Sequence, residues 1–514
     1  MHCKQNYERK KNMKTARILS LFLALLMLLS VFTACGNTPE ETTSNDGKET
    51  TSPDDNDRNQ EKDTVPTDLK YDGETVTFLV RNERDLTKYE LSCEQLVNNP
   101  VYDAIHYRNI DVENRLGVKV KSIGQPGGFL DCTAWNNTLS VSVLTNTGDF
   151  DGAAFYLSMG TSLAKEGIFY NLLSLTNDEA GYFNFDKPWW NDSMVDELSL
   201  YGALFFAGGA LTITEASSGI CVFFNRDLFN QKYPDDRDTK LYQLVRDGKW
   251  TADQMTYYVS NCWDDVNSNG VVDPGDVVGI KSLGDGAGQM DAWVLAMGLD
   301  FTKNDAYGEP EIALFNSQTV PAYEKVRGVF NNPGGFIPAG QPNHDDTSMS
   351  NGNVLFYTQD LNYGSKMKSS TVNYGVLPIP KYNEEQGAYR TCFANDASAL
   401  AVCSNLDADR AAMVSAVLEV LSAESYKQVI PAYYETVLKG HYSREAADAE
   451  MYDKILESFV FSFGFAWSTG SLGGISAIFR KLQSDYDIQN YIDSNRESWE
   501  QKLDDLLAAL DAVS

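Results

Sequence analysis

Gly219-Ile220-Cys221-Val222-Phe223-Phe224-Asn225-Arg226-Asp227-Leu228-Phe229 is the stretch on which the fold of this chain turns. The apolar run from Ile220 to Phe224 reads as a strand, and Arg226-Asp227-Leu228-Phe229 then turns into a helix. Working outward, the same alternation recurs upstream. Thr75-Val76-Thr77-Phe78-Leu79-Val80 is a β-rich run that ends in charged Arg81-Asn82-Glu83-Arg84-Asp85. Ala104 to Leu116 has helical spacing through Ile105, Ile110, Val112 and Leu116, and Val118-Lys119-Val120 follows as a short strand. Asp149-Phe150-Asp151-Gly152-Ala153-Ala154-Phe155 gives another strand, then Ser162 to Gly167 a helix with a glycine stop. Strand, helix, strand with parallel pairing opens an α/β layer. The stretch from Tyr71 to Ser514 exceeds one typical core and predicts two domains.

Composition narrows the partners. The 514 residues carry a net charge of −30, with 43% hydrophobic residues, 27 Tyr, 25 Phe and 8 Trp. Nucleic acid and anionic surfaces need a basic face, so neither is an expected partner. Neutral or cationic ligands suit an acidic, aromatic-rich body, although acidity also simply keeps a protein in solution. Cys221 and Cys403 lie in apolar runs, where free cysteine behaves as a small core residue. Mostly free, buried thiols are therefore expected at Cys93, Cys132, Cys221, Cys262, Cys392 and Cys403.

The N-terminal region has its own logic. Lys10, Lys11, Lys14 and Arg17 precede an apolar run from Ile18 to Ala34, the pattern of a secretory signal. Val31-Phe32-Thr33-Ala34-Cys35-Gly36 resembles a bacterial lipobox, which would make residues 1–35 a lipoprotein signal and Cys35 the lipidated residue. A plain cleaved signal or an uncleaved anchor is the alternative. Residues 36–70 are rich in Thr, Ser, Asp and Glu with almost no large apolar side chain, and read as a disordered tether. Such a coil reaches on the order of 30 Å. The expected location is the extracytoplasmic face of the bacterial cell membrane.

Taken in order, the pieces of the body resemble the extracellular solute-binding proteins of ABC transporters, of the carbohydrate type (family 1, maltodextrin-binding-like). Asp111-Val112-Glu113-Asn114-Arg115-Leu116-Gly117-Val118-Lys119-Val120 is similar to that family's first helix running into its second strand. Tyr201 to Ala207 resembles the segment entering the second lobe, and Gly219 to Phe229 the strand-to-helix step within it. Gly248-Lys249-Trp250-Thr251 resembles a tryptophan–threonine helix start, with Thr251 a favourable N-cap. Gly352 to Phe356, then Tyr374 to Pro380, resembles the late core run ending in Pro-x-Pro. The resemblance implies an α/β, two-lobed periplasmic-binding-protein-like fold (type II) with the ligand cleft between lobes. Lobe 1 would span 71–208 with about 394–430 returning to it, and lobe 2 would span 209–393. Part of 431–514 would be helical and shared.

The implied function is capture of a sugar or oligosaccharide, without catalysis, for delivery to an ABC permease by a monomeric, membrane-anchored binder. Site candidates follow from strand ends and from positions matching the family pattern. They are Arg81, Asn82 and Glu83 after the first strand, and Tyr156 and Ser158 after the strand ending at Phe155. Glu215 and Ser217 stand at the crossover, Tyr357 in the late core run, Asp396 near the return crossover, and Trp467 where the family supplies a late stacking aromatic. Aromatic faces suit the C–H face of a pyranose, and carboxylates and amides its hydroxyls. Trp189-Trp190, after Pro188, reads as an exposed pair or one docked on a neighbouring loop.

One local motif is sharper. Asp265-Val266-Asn267-Ser268-Asn269-Gly270-Val271-Val272-Asp273-Pro274-Gly275-Asp276 fits the calcium-loop pattern D-x-[DN]-x-[DN]-G. Asp265, Asn267, Asn269, Asp273 and Asp276 would supply side-chain oxygens and Val271 its carbonyl, to a structural Ca2+. An Asp/Asn-rich turn without metal is the alternative, and Val277-Val278-Gly279-Ile280 reads as a strand rather than a second EF-hand helix. Catalytic signatures are scarce. The four histidines show no metal-ligand spacing, and Gly284-x-Gly286-x-Gly288 is no dinucleotide fingerprint. A lipid-anchored glycoside hydrolase, or a peptide-binding or adhesion lipoprotein, are the readings that compete.

Overall fold

The computed structural model describes residues 58–283, 288–336, 349–482 and 486–514; the signal, the lipobox at Cys35, the start of the tether and the Gly284–Gly286 glycines lie outside them. Its strands are β1 (Thr75–Arg81), β2 (Lys119–Gln125), β3 (Gly152–Tyr156), β4 (Ile220–Asn225), β5 (Val278–Lys281), β6 (Thr302–Asn304), β7 (Pro310–Ile312), β8 (Gly335–Phe336), β9 (Val354–Asp360), β10 (Tyr374–Pro378) and β11 (Ser398–Val402). They form two main sheets, and each sheet is the centre of a lobe.

The first sheet runs β11-β3-β1-β2. β1 pairs in parallel with β2 and β3, while β11 returns antiparallel to β3, Leu400 opposite Ala154. Parallel pairing requires a crossover helix, and Pro100–Leu116 supplies it between β1 and β2. Asn99 caps that helix by accepting from the Val101 and Tyr102 amides, Pro100 sits in its first turn, and Gly117 ends it at φ 64°. Ile105, Val112 and Leu116 are buried, whereas Ile110 of the same apolar series faces solvent.

The second sheet runs β10-β4-β9-β5-β8. β4 pairs antiparallel with both β9 and β10, and β5 runs parallel to β9 and β8. Every residue of β4 is buried. Asn225 at its end caps the helix Arg226–Lys232 through the Leu228 amide and anchors to the Gly352 carbonyl at 3.1 Å. Fully enclosed Arg226 opens that helix between Asp238 at 3.0 Å and Asp448 at 2.7 Å.

Three passes of chain join the lobes side by side. The Ile220 amide donates to the Cys392 carbonyl and the Ala394 amide to the Ser218 carbonyl, both at 2.8 Å. A third pass pairs with the second, Thr391 donating to the Ser458 carbonyl and Val460 to that of Thr391. The last helix, Ile488–Val513, packs on Ser162–Lys165 and on β7, which pairs with β6 in a separate two-stranded sheet.

Two expectations are corrected. Residues 58–70, expected to be disordered, instead pack on lobe 1. Val65 is buried, and Asp63 holds Arg115 with two 2.6 Å bonds. Trp189 and Trp190 are buried, and both indole N–H groups donate to the Glu419 carboxyl, at 3.1 and 2.9 Å. The six cysteines of the body are free and buried.

Candidate functional site

The side chains that matter gather where the three passes enter the sheets, at the carboxyl ends of β1 and β3. Such strand ends carry ligand sites in open α/β sheets because the loops there are free to vary. Arg81 closes β1 and is 1% exposed. Its guanidinium reaches Glu83 at 3.0 Å, the Asp396 carbonyl at 2.7 Å and Ser398 Oγ at 3.1 Å, and it stacks over the Tyr156 ring at 5.1 Å. Tyr156 donates to Asn395 Oδ1 at 3.2 Å, and the Ser158 amide to the Asn395 carbonyl at 3.2 Å. Arg84 pairs with Asp396 at 2.9 Å, both side chains about one-third exposed.

Lobe 2 contributes from the opposite side. Asp360, the last residue of β9, has its carboxyl pushed up to about 6 by burial and by the nearby Asp396, with Arg84 acting the other way. Asp291 is buried and binds Arg480 at 2.6 Å and Ser476 at 2.7 Å. Gly288 lies beside Arg480 and Asn395, a Cβ built on it falling 3.8 Å from the first and 3.9 Å from the second, so Arg480 and Asn395 border the same space. The candidate surface is therefore made of Glu83, Arg84, Asn395, Asp396, Asp360 and Arg480, with Arg81 and Tyr156 buried behind it.

The sequence candidates divide accordingly. Arg81, Glu83, Tyr156 and Asp396 come together. Ser158 lies beside them but is buried, and its hydroxyl has no partner among the described residues. Glu215 stands apart, bound to Asn191 and Thr212, its carboxyl raised to about 7 by burial. Ser217 is buried and donates to the Thr214 carbonyl. Tyr357 is wholly buried in β9 against Tyr363. Trp467 offers no face to a ligand, being 1% exposed between Phe206 and Phe463. Sequence reasoning missed Asp360, Asn395, Arg480 and Asp291 as members of this site. Asn395 had a signal in its adjacency to Asp396, whereas the others are brought in by pairing across distant segments.

In the acidic loop, Gly270 takes φ 75°, and its amide and that of Asn269 donate to Asp265 at 2.7 and 3.1 Å. The Asn267 and Asn269 amides both donate to Asp273 Oδ2. Asp276 is fully buried, accepting from the Val266 and Asp273 amides and the Trp263 indole. These hydrogen bonds hold the Asp273 carboxyl below its ordinary range, the Gly275 amide contributing most. Among the described residues no group of three or more His, Cys, Asp or Glu side chains is disposed to hold a metal.

Solved structures identify the architecture. A cyclo/maltodextrin-binding protein complexed with maltotetraose superposes with a TM-score of 0.53 at 10% identity, over 86% of this chain and 98% of that one. This chain has the two-lobed solute-binding-protein fold. The galacto-N-biose/lacto-N-biose I-binding protein of an ABC transporter from Bifidobacterium longum, in complex with lacto-N-biose, gives 0.53 at 10% identity, over 85% and 99% of the two chains. An ABC-transporter solute-binding protein from Thermotoga lettingae bound to α-D-tagatose gives 0.50 at 12% identity, over 84% and 100%. At these identities the likeness is one of solute-binding-protein architecture. No family model and no curated protein sequence matches the chain. No helix of the described residues is long and apolar enough to cross a membrane.

Proposed function

We propose that this chain is the substrate-binding component of an ABC importer, taking a sugar or oligosaccharide between its lobes and presenting it to a membrane permease. The observation that carries the reading is the convergence of Glu83 and Arg84 from lobe 1, Asn395 and Asp396 from the return pass, and Asp360 and Arg480 from the far side. Carboxylates, an amide and guanidinium groups offer acceptors and donors in the mixture that hydroxyl-rich ligands need. Arg84 and Arg480 are already paired with carboxylates, which favours an uncharged ligand over an anionic one. Residues drawn from both lobes meet the ligand together only when the lobes close, so binding shifts the molecule toward the closed form that a permease reads.

No group in this reading performs catalysis. Titration calorimetry of the full chain against a panel of sugars and oligopeptides tests it. Tight one-to-one sugar binding without turnover supports the proposal, sugar release would replace it with a glycoside hydrolase, and peptide binding alone would move it to the peptide-binding class. The lipobox pattern supports anchoring through Cys35, which fatty-acid labelling lost in Cys35→Ser would demonstrate. The spacing of Asp265, Asn267, Asn269, Val271, Asp273 and Asp276 supports a structural calcium ion in lobe 2.

A further inference from the structure

Glu90 follows the short helix Asp85–Tyr89 and its side chain is fully buried beneath the crossing point. Ser398 Oγ donates to one carboxyl oxygen and Thr214 Oγ1 to the other, the latter at 3.0 Å. Thr214 in turn accepts from the Ser398 amide at 2.9 Å, and Ser398 Oγ accepts from Arg81 at 3.1 Å. Thr214 lies on the helix Ile213–Ser217 that feeds the first pass, and Ser398 opens β11 just after the second. One carboxyl group therefore ties two passes to the arginine that holds the Asp396 backbone.

Three cations face it: Arg81 from β1, Arg84 beyond it, and Arg108 from the helix Pro100–Leu116. Arg81 and Arg84 have carboxylates of their own, Glu83 and Asp396. Arg108 bonds only uncharged groups, the Glu90 and Leu91 carbonyls, Asn109 Oδ1 and Ser425 Oγ. The arginines act on the Glu90 carboxyl through space, its hydrogen-bond partners being the Ser398 and Thr214 hydroxyls. Burial lifts this carboxyl to about 7 against the hydroxyl donors and the arginines.

We propose that Glu90 is a positioning residue for the cleft, and that its proton governs how tightly the two passes are held together. Burial favours the neutral acid, while the two hydroxyl donors and the arginines favour the charged form. Deprotonation places a charge there that water relieves, and water reaches it when the Thr214 and Ser398 contacts part. Any arrangement that hydrates Glu90 lowers its pKa and is favoured as pH rises. The consequence for affinity rests on the cleft being the binding site; the test below uses no ligand, so a failed sugar screen leaves it standing.

Nitroxide labels at Asn137→Cys on lobe 1 and Tyr257→Cys on lobe 2, both exposed, report the spacing of the lobes by pulsed electron resonance. Cys3→Ser and Cys35→Ser leave only buried native thiols. A narrow distance distribution near pH 5.5 that broadens above about pH 7 is expected, with Glu90→Gln narrow throughout. An unchanged wild-type distribution across that range, or a Glu90→Gln chain that keeps the wild-type response, overturns the proposal. The pair Thr214→Val and Ser398→Ala strips the donors that favour the charged form, and should move the midpoint up by about one pH unit. A midpoint that stays put also overturns it.

Discussion

At the scale of single residues, the exposed groups of the cleft and the buried groups behind it make opposite predictions. Arg84 and Asp396 are paired and partly exposed, and in the proposed reading they exchange their mutual contact for a ligand hydroxyl. Hydrogen bonds to charged groups contribute about 1.5–3 kcal/mol, so Asp396→Asn should weaken sugar binding about ten- to a hundredfold by calorimetry. Trp467→Phe should leave affinity alone and lower stability only. The reverse outcome would return Trp467 to the site. Asp448 gives the test of packing. It accepts from Arg226, from Tyr242 at 2.7 Å and from the Arg444 and Glu445 amides in a site closed to water. Asp448→Ala leaves a buried guanidinium short of its main partner and should cost about 3–5 kcal/mol in urea unfolding. Trp189, Trp190 and Trp467 show why aromatics misled the reading. A tryptophan's sequence neighbours say nothing about Glu419, some 230 residues away, which satisfies the first two indoles.

At the scale of elements, what is local was legible. The apolar run of β4, Asn225 as a cap, and the helix after it are set by neighbours a few residues apart. The same is true of the helix that Asn99 and Gly117 delimit. The crossing point was not legible, because its hydrogen bonds join segments some 170 residues apart, such as Ile220 to Cys392, with no local signature. That also hid Asp360, whose importance arises from lying beside Arg84 and Asp396. Arg58–Lys70 was misjudged for the same reason: its polar composition resembles a tether, and Val65 and Asp63 find their partners only in the folded lobe. The acidic loop makes a prediction of its own. Calcium at a hundredfold excess over its dissociation constant stabilises a fold by about 2.7 kcal/mol, so EDTA should lower the melting temperature by a few degrees. An unchanged melting curve and no co-purifying metal would reduce this loop to its internal hydrogen bonds.

At the scale of the whole molecule, burial has lifted several carboxyls: Asp360 to about 6, Glu90 and Glu215 to about 7, and Glu419 to about 8. A raised carboxyl means that the native state binds protons the unfolded chain has released. Between the ordinary carboxylate range and these values, stability therefore falls as pH rises. Asp63 and Glu450 are shifted the other way, the first through Arg115 working against its burial and the second chiefly through Arg246, and they act only below their ordinary values. Denaturant unfolding should show the highest stability near pH 5 and a decline through about pH 8, with Glu419→Gln flattening the upper part. Stability that rises over that window would contradict the burial of these groups.

The return of β11 to the first sheet has a kinetic meaning as well. Leu400 pairs with Ala154 across almost half the chain, so a chain emerging N-terminus first holds β1, β2 and β3 without their closing strand until nearly four-fifths of it is present. Closing loops of that length precedes any reward from packing and makes folding slow. A fragment ending before Ser398 should remain open to protease at β3, and the full chain should refold with a slow phase in which the first sheet gains protection, so that lobe 1 is completed only once β11 has arrived.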